Sequence, residues 1–196
     1  MIYLVRHGQT EMNLQGRIQG QGDAPLIEAG KSLAAKIGRK LAEEIGSANA
    51  LIFTSPLGRA TQTATIIAES LPHEAPVTED GRLAEVNLGE WDGLTIAEID
   101  GGWPGARTSV PPGEWFFNAP NGETFESFRK RNASFLRDLA KADTEVKILV
   151  THGISGRVLR GLHAGLERQE TVNLPVPSDT FFTLHEDGSV GEFAAT

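Results

Sequence analysis

Cysteine is absent from this 196-residue chain, which excludes disulfides and thiolate metal sites and points, modestly, to a reducing compartment such as the cytoplasm. Long apolar runs are missing too. Only Ile2-Tyr3-Leu4-Val5 stand before Arg6, far short of a signal-peptide core, and no stretch approaches the roughly 18 consecutive apolar residues of a spanning helix, so no membrane residence is expected. Positive charge is scarce: 18 Lys and Arg against 26 Asp and Glu give a formal net charge of -8. An extended polyanion such as DNA or RNA would meet a repulsive field, and no nucleic-acid partner is expected. A small phosphorylated ligand stays allowed, because a few arginines suffice for a local cationic pocket. With 39% hydrophobic and 22% charged residues and no repeat, linker or low-complexity tract, residues 1–196 read as one globular domain.

What is present begins with two histidines at matching places. Arg6-His7-Gly8 follows the run Ile2–Val5, and Thr151-His152-Gly153 follows Ile148-Leu149-Val150. Short apolar runs without polar alternation read as strands buried on both faces, and ligands of open α/β sheets bind at the carboxyl ends of such strands. Both imidazoles are therefore expected to face one pocket.

Between these strands a polar, Gly-rich loop runs from Gln9 to Pro25. Leu33, Ile37, Leu41 and Ile45 then mark a helix within 27–45. Leu51–Phe53 reads as a second strand, followed by a helix to about Leu71 with Ser55 as its cap and Pro56 at its first position. Residues 83–99 mix a loop with a short helix near Thr95. Phe125, Phe128, Phe135 and Leu139 define a helix over 123–139, capped within Asn121-Gly122-Glu123, and 154–163 is a further helix. Glu167 to Glu170 reads as an exposed helix end or loop. Phe181–Leu184 and Val190–Phe193, around Glu186-Asp187-Gly188, read as a β-hairpin closing one sheet edge. Alternating strands and helices predict an α/β domain with helices on both faces. Gly101 to Pro120 is too long for a plain connection and reads as either a lid or a structural insertion. Its Trp103, Trp115, Phe116 and Phe117 either line a substrate pocket or pack that insertion onto the body, and Arg107 is its one cation.

Arg6, His7, Arg59 and His152 thus converge as four cationic or potentially cationic groups. Guanidinium groups bind phosphate oxygens through paired charge-assisted hydrogen bonds, so this set describes a phosphoryl pocket better than a carboxylate pocket. No His-x-x-x-His or equivalent spacing offers metal ligands, and Arg6 and Arg59 would repel a divalent cation, so neither metal nor cofactor is expected. His73, His163 and His185 read as solvated or structural.

The ordered set of motifs resembles the histidine phosphatase superfamily, the family that includes cofactor-dependent phosphoglycerate mutase and the bisphosphatase of fructose-2,6-bisphosphate. The likeness runs through Leu4–Thr10, Asn13, Gly16–Gly20, Asp23 with Pro25-Leu26, and Gly30. It continues through Thr54–Ala60 with Gln62–Ala64, Leu83–Glu85, Gly89, Trp91–Gly93, Asn121–Glu123 and Val150–Gly153. Ile27 and Ile154 depart from the usual Thr and Gly of that pattern.

The resemblance implies a three-layer α/β/α sandwich with a mostly parallel central sheet, like that of phosphoglycerate mutase. It also implies metal-independent hydrolysis of a small phosphorylated metabolite through a phosphohistidine. His7 would be the nucleophile, Arg6, Arg59 and His152 the clamp on the phosphoryl oxygens, and Glu85 the general acid. Gly8, Asn13, Gln19, Gly20 and Gly153 would complete the phosphate pocket. A neutral attacking imidazole needs its other nitrogen fixed by a hydrogen bond, usually to a backbone carbonyl. Crowding beside a phosphate dianion would keep Glu85 protonated. The classical mutases carry longer insertions that hold the phosphoglycerate carboxylate and shield phosphohistidine from water; with only 101–120 available, a phosphatase is favoured. Alternatives are mutase-type phosphoryl transfer and a non-catalytic phospholigand-binding regulator. A homodimer through an edge strand is compatible with the sequence, which does not demand one.

Overall fold

In the computed structural model, which describes residues 1–195, six strands form one sheet: β1 (Ile2–Arg6), β2 (Ala50–Thr54), β3 (Val77–Glu79), β4 (Val146–Thr151), β5 (Thr180–Leu184) and β6 (Val190–Ala194). Their spatial order is β3-β2-β4-β1-β5-β6. The three pairings among β1 to β4 are parallel, and β5 runs antiparallel to β1 and β6. The sheet is therefore mostly parallel, with the expected hairpin on one edge. β3, at the other edge, is short and exposed, which is why no apolar run announces it.

Side chains alternate across the sheet, and each face takes its own helices. Tyr3, Val5, Ile52, Ile148, Val150 and Phe181 pack with Ile37 and Leu41 of α2 (Glu28–Ile45) and Ala60, Ala64 and Ile67 of α3 (Gly58–Ser70). Leu4, Leu149 and Phe182 pack on the opposite face with Phe135 and Leu139 of α5 (Phe125–Leu139) and Leu159 of α6 (Gly153–His163). This gives the three-layer α/β/α arrangement. A third cluster, centred on Trp91 and joining Val86, Leu88, Ile99, Phe128, Ile154, Val158 and Val172, carries the long excursion.

Two helix starts differ from the sequence expectation. α3 begins at Gly58, after Leu57, whose side chain makes no capping bond. Ser55 Oγ accepts the Leu57 amide at 3.3 Å and lies 2.7 Å from His152 Nε2, so it is committed ahead of the helix. Asp23, 36 residues away, accepts the Arg59 amide and caps α3 from a distant loop. α5 is capped by Thr124 through the Ser127 amide rather than by residues 121–123; Asn121 instead occupies the left-handed region at φ 57°. Three short helices had no sequence forecast of this extent: α1 (Glu11–Leu14), α4 (Ile96–Gly102) around the expected helix near Thr95, and α7 (Arg168–Asn173). Glu167 and Glu170 form the capping box that opens α7. They belong to a helix start.

Candidate active site

β1, β2 and β4 run parallel, so their carboxyl ends bring His7, Ser55 and His152 together. The His7 amide donates to the Thr151 carbonyl at 2.9 Å and the Ser55 amide to the Val150 carbonyl at 3.0 Å, which extends the ladder by one residue on each strand. The two imidazole centroids lie 5.1 Å apart, tilted by 58°. Both histidines are buried.

His7 has its tautomer set by its neighbour. Nδ1 lies 2.7 Å from the Gly8 carbonyl oxygen, and a carbonyl only accepts, so Nδ1 carries the proton and Nε2 the lone pair. Arg59 Nε donates to that Nε2 at 3.3 Å. Burial, then Arg59, then Arg6 hold the His7 pKa well below its ordinary 6.5, against a smaller opposing effect of the Gly8 bond. Gly8 is needed for packing: a Cβ there would overlap the backbone of Gly30 at the start of α2, and its amide donates to Thr63 Oγ1 at 3.1 Å.

His152 meets Ser55 Oγ through Nε2, while its buried Nδ1 has no partner among the described residues. Where the Ser55 hydroxyl donates to Nε2, Nδ1–H is left as a donor. Burial, then the neighbouring His7 imidazole and the Arg59 and Arg6 guanidiniums, hold the His152 pKa well below 6.5.

Arg59 is wholly enclosed. Its guanidinium donates to the Gly20 carbonyl at 2.7 Å, the Gly22 carbonyl at 2.9 Å and Asp23 Oδ1 at 3.2 Å. Asp92 holds the same loop from the other side, accepting the Gly20 amide at 2.8 Å and the Gly22 amide at 2.6 Å. The Gly20 amide, expected in the phosphate pocket, is thus bonded to Asp92 in this structure. Arg6 donates weakly to the Val176 carbonyl, at 3.4 Å.

Glu85 lies beside the N-terminus of α6. Its Oε1 accepts from the Val86 and Ser155 amides and Oε2 from the Ile154 amide at 2.9 Å, while the Ser155 hydroxyl lies 2.9 Å from the Ala84 carbonyl and 3.1 Å from Oε1. Arg131, paired with Glu123 at 2.9 Å, donates to the carbonyls of Arg82, Ala84 and Glu85 and fixes the segment that carries Glu85.

A pocket of about 290 Å³ joins Arg6, His7, Asn13, Gln19, Glu85 and Gly153 with Arg17, Arg157 and an apolar wall that includes Phe116 and Val176. Asn13 closes α1 onto Thr10. Gln19 Oε1 accepts from the Thr10 hydroxyl at 2.5 Å, while its buried Nε2 has no partner among the described residues. Of the excursion, Phe116 alone lines this pocket; Trp103 and Trp115 pack on Trp91, and Phe117 packs on Phe125 and Phe128. Arg107 lies outside it, paired with Asp100 at 2.7 Å and set over the Trp115 ring. Among the described residues no three His, Asp or Glu side chains converge as metal ligands.

Sequence reasoning missed the roles of Ser55, Asp23 and Asp92 and the place of Arg157 in the pocket wall. Asp23 and Asp92 stand inside the matched motifs, but spacing alone does not show that they bind backbone amides. Arg157 lies in no motif; only its position four residues after Gly153, on one helix face, could have drawn attention to it.

The histidine phosphatase superfamily (branch 1) matches residues 2–192. "Probable phosphoglycerate mutase GpmB" of Salmonella paratyphi C is 34% identical over 173 residues, covering 86% of this chain and 78% of that protein. The mycobacterial glucosyl-3-phosphoglycerate phosphatase, solved with VO3, superposes with a TM-score of 0.78 at 30% identity, covering 93% of this chain and 92% of that one. Bacillus stearothermophilus YhfR gives 0.81 at 28% identity, covering 98% and 95%.

Proposed function

The chain belongs to the histidine phosphatase superfamily, and on that premise we propose that it is a metal-independent phosphomonoester hydrolase acting on a small phosphorylated metabolite, with His7 as the nucleophile. The observation that carries this reading is the pairing of His7, whose protonated Nδ1 rests on the Gly8 carbonyl and whose Nε2 lone pair sits beside Arg59. An imidazole held neutral by burial and two arginines attacks phosphorus without prior deprotonation once the Arg59 Nε–H passes from Nε2 to a phosphoryl oxygen.

Nε2 bonds to phosphorus as the phosphorus–oxygen bond to the leaving group breaks, and that oxygen takes a proton from Glu85. The Val86 and Ser155 amides hold Oε1 of Glu85 and the Ile154 amide holds Oε2, which fixes the carboxyl group in place. Water then attacks the phosphohistidine, gives its proton back to Glu85, and the phosphorus–nitrogen pair returns to Nε2. Arg6, the Arg59 Nε–H and His152 Nδ1–H neutralise the phosphoryl oxygens through both steps. Asn13, Gln19 and the Gly153 amide at the start of α6 supply neutral donors. The Gly8 and Gly20 amides are bonded to Thr63 and Asp92 and shape the loops around the pocket. The cytoplasm suits this chemistry and the absence of cysteine.

Phosphate release from sugar, glycerate, nucleotide and aryl phosphates in EDTA, with His7→Ala as the blank, tests the proposal. Release by the wild type alone supports it; equal release by both proteins removes His7 from the chemistry. The relatives called phosphoglycerate mutase favour a second reading, in which a second hydroxyl takes the phosphoryl group before water does. Exchange between phosphoglycerate isomers without net phosphate release would establish that one instead.

A further inference from the structure

Between α7 and β5, residues 174–179 run past the pocket: Val176 lines its wall and Ser178 an adjoining cleft beside His7. This strap carries Pro175 and Pro177, which have no amide hydrogen to give. Among the described residues no backbone–backbone hydrogen bond reaches 175–178; the flanking ones run from the Leu174 amide to the Thr171 carbonyl and from the Ala195 amide to the Asp179 carbonyl. Two arginines hold the strap instead. Arg6 donates to the Val176 carbonyl at 3.4 Å, and Arg160 Nη2 donates to the Pro175 carbonyl.

Arg160 is fixed from inside the fold. It is only 5% exposed and shares one face of α6 with Gly153 and Gly156. Its Nε donates to the Gly156 carbonyl at 3.3 Å, and its guanidinium carbon lies 4.0 Å from the centroid of the Phe182 ring on β5. Burial, then the charge of Arg157, bring its pKa down to about 10 against a smaller effect of Glu192, so it stays a cation at neutral pH. A guanidinium held by helix and sheet together is a rigid anchor for Pro175. The strap in turn packs on the catalytic end of α6: a Cβ at Gly153 would lie 3.0 Å from Val176 Cγ1 and 3.7 Å from the Arg6 guanidinium carbon. Arg6, His152, Arg160, Val176 and Pro177 close around one gap of about 20 Å³, room for about a single water.

We propose that Arg160 is a positioning residue for the phosphoryl end of the pocket: it anchors the strap 174–178, and the strap's Val176 carbonyl then orients Arg6. This rests on the reading of Arg6 as a phosphoryl ligand. A guanidinium is planar, so one N–H spent on a fixed carbonyl sets the direction of the remaining donors. Those are the donors that a phosphoryl group meets beside His7. Arg160 itself touches no substrate and acts through Val176 and Arg6.

A double-mutant cycle tests the role. Orthovanadate affinity, by calorimetry, and p-nitrophenyl phosphate kinetics are measured for the wild type, Arg160→Met, Arg160→Lys, Arg6→Met and the Arg6→Met/Arg160→Met pair, with urea unfolding as the check that each is folded. Arg160→Met alone is expected to weaken orthovanadate binding and lower kcat/KM by about tenfold, the size of one charge-assisted hydrogen bond. The loss should fall mainly on KM, because Arg6 holds the phosphoryl group in ground and transition states alike. Arg160→Lys, which keeps one donor for the Pro175 carbonyl, should recover part of it. In the Arg6→Met background the same Arg160→Met change should cost less than about twofold, since the strap then has no arginine to orient. Equal losses in both backgrounds, the result of a merely structural role, overturn the proposal, as does no loss in the wild-type background. Should Arg160→Met not fold, Pro177→Gly loosens the strap with Arg160 in place and must show the same dependence on Arg6. Coupled orthovanadate binding without turnover would keep the role of Arg160 and refute the hydrolase reading; a wild type that binds no orthovanadate would remove Arg6 as a phosphoryl ligand and the proposal with it.

Discussion

Two buried neutral histidines tie the chemistry of this site to acid stability. His7 and His152 have pKa values well below 6.5 in the folded chain, whereas in the unfolded chain they titrate near that value. Above pH 6.5 both states are neutral and the groups contribute nothing. Below it the unfolded state binds protons that the folded state refuses, so stability falls as the pH drops, by up to about 1.4 kcal/mol per pH unit for each histidine. Urea unfolding of the ligand-free protein between pH 7 and 5 should therefore show a steeper loss for the wild type than for His152→Gln, and equal slopes would refute the assignment. The same depression should keep kcat/KM from losing its nucleophile until well below pH 6.5. Glu85 calls for a different variant. A glutamine would turn an NH2 group toward amides that already donate to Oε1 or Oε2, so Glu85→Ala is the cleaner probe of acid catalysis. It should lower alkyl phosphate turnover by about 10²–10⁴-fold and p-nitrophenyl phosphate turnover far less, because an aryloxide leaves without protonation. Equal losses on both substrates would remove Glu85 from that role.

Loops, more than helices, decide where the charged groups stand. Residues 20–23 are pinned between Asp92, which accepts two amides, and Arg59, which donates to two carbonyls and Asp23. Asp92→Ala removes both amide acceptors. It should cost about 2–4 kcal/mol in thermal or urea unfolding and, because Arg59 would lose its fixed partners, lower kcat/KM as well; an unchanged kcat/KM would show that Arg59 keeps its place without the loop. Periodicity made the regular elements readable. The stripe Leu33, Ile37, Leu41, Ile45 lies in α2, the Phe125–Leu139 stripe coincides with α5, and the hairpin falls within a residue of its forecast. Starts and short pieces were unreadable because their partners are distant in sequence. Asp23 caps α3 across 36 residues, and β3 exists only because β2 offers it a free edge.

At the scale of the whole molecule, the site lies on a seam between the sheet and the cluster around Trp91. The strand-end histidines were legible because their place follows from sheet topology, and Arg6, Arg59 and Glu85 because the motif set is ordered. Arg157 and Ser55 were not, since burial and missing partners become visible only when α6 and β2 meet the pocket. The same assembly bears on residues 101–120. Trp103 and Trp115 contact Trp91, Phe117 contacts Phe125 and Phe128, a Cβ at Gly113 would overlap the Val172 carbonyl, and Glu114 pairs with Arg168 at 2.7 Å. A segment fixed at that many points has little freedom to swing, which favours an insertion that supplies Phe116 as a fixed wall over a moving lid. Orthovanadate, an oxyanion that fills a phosphoryl pocket, distinguishes the two by hydrogen exchange. A fixed wall predicts that amides of 113–118 keep their exchange rates within about twofold while those of Gln19 and Gly153, which line the pocket, slow. Slowing of about tenfold or more in 113–118 would instead make that segment a lid, and Phe116 would then reach the substrate only after closure.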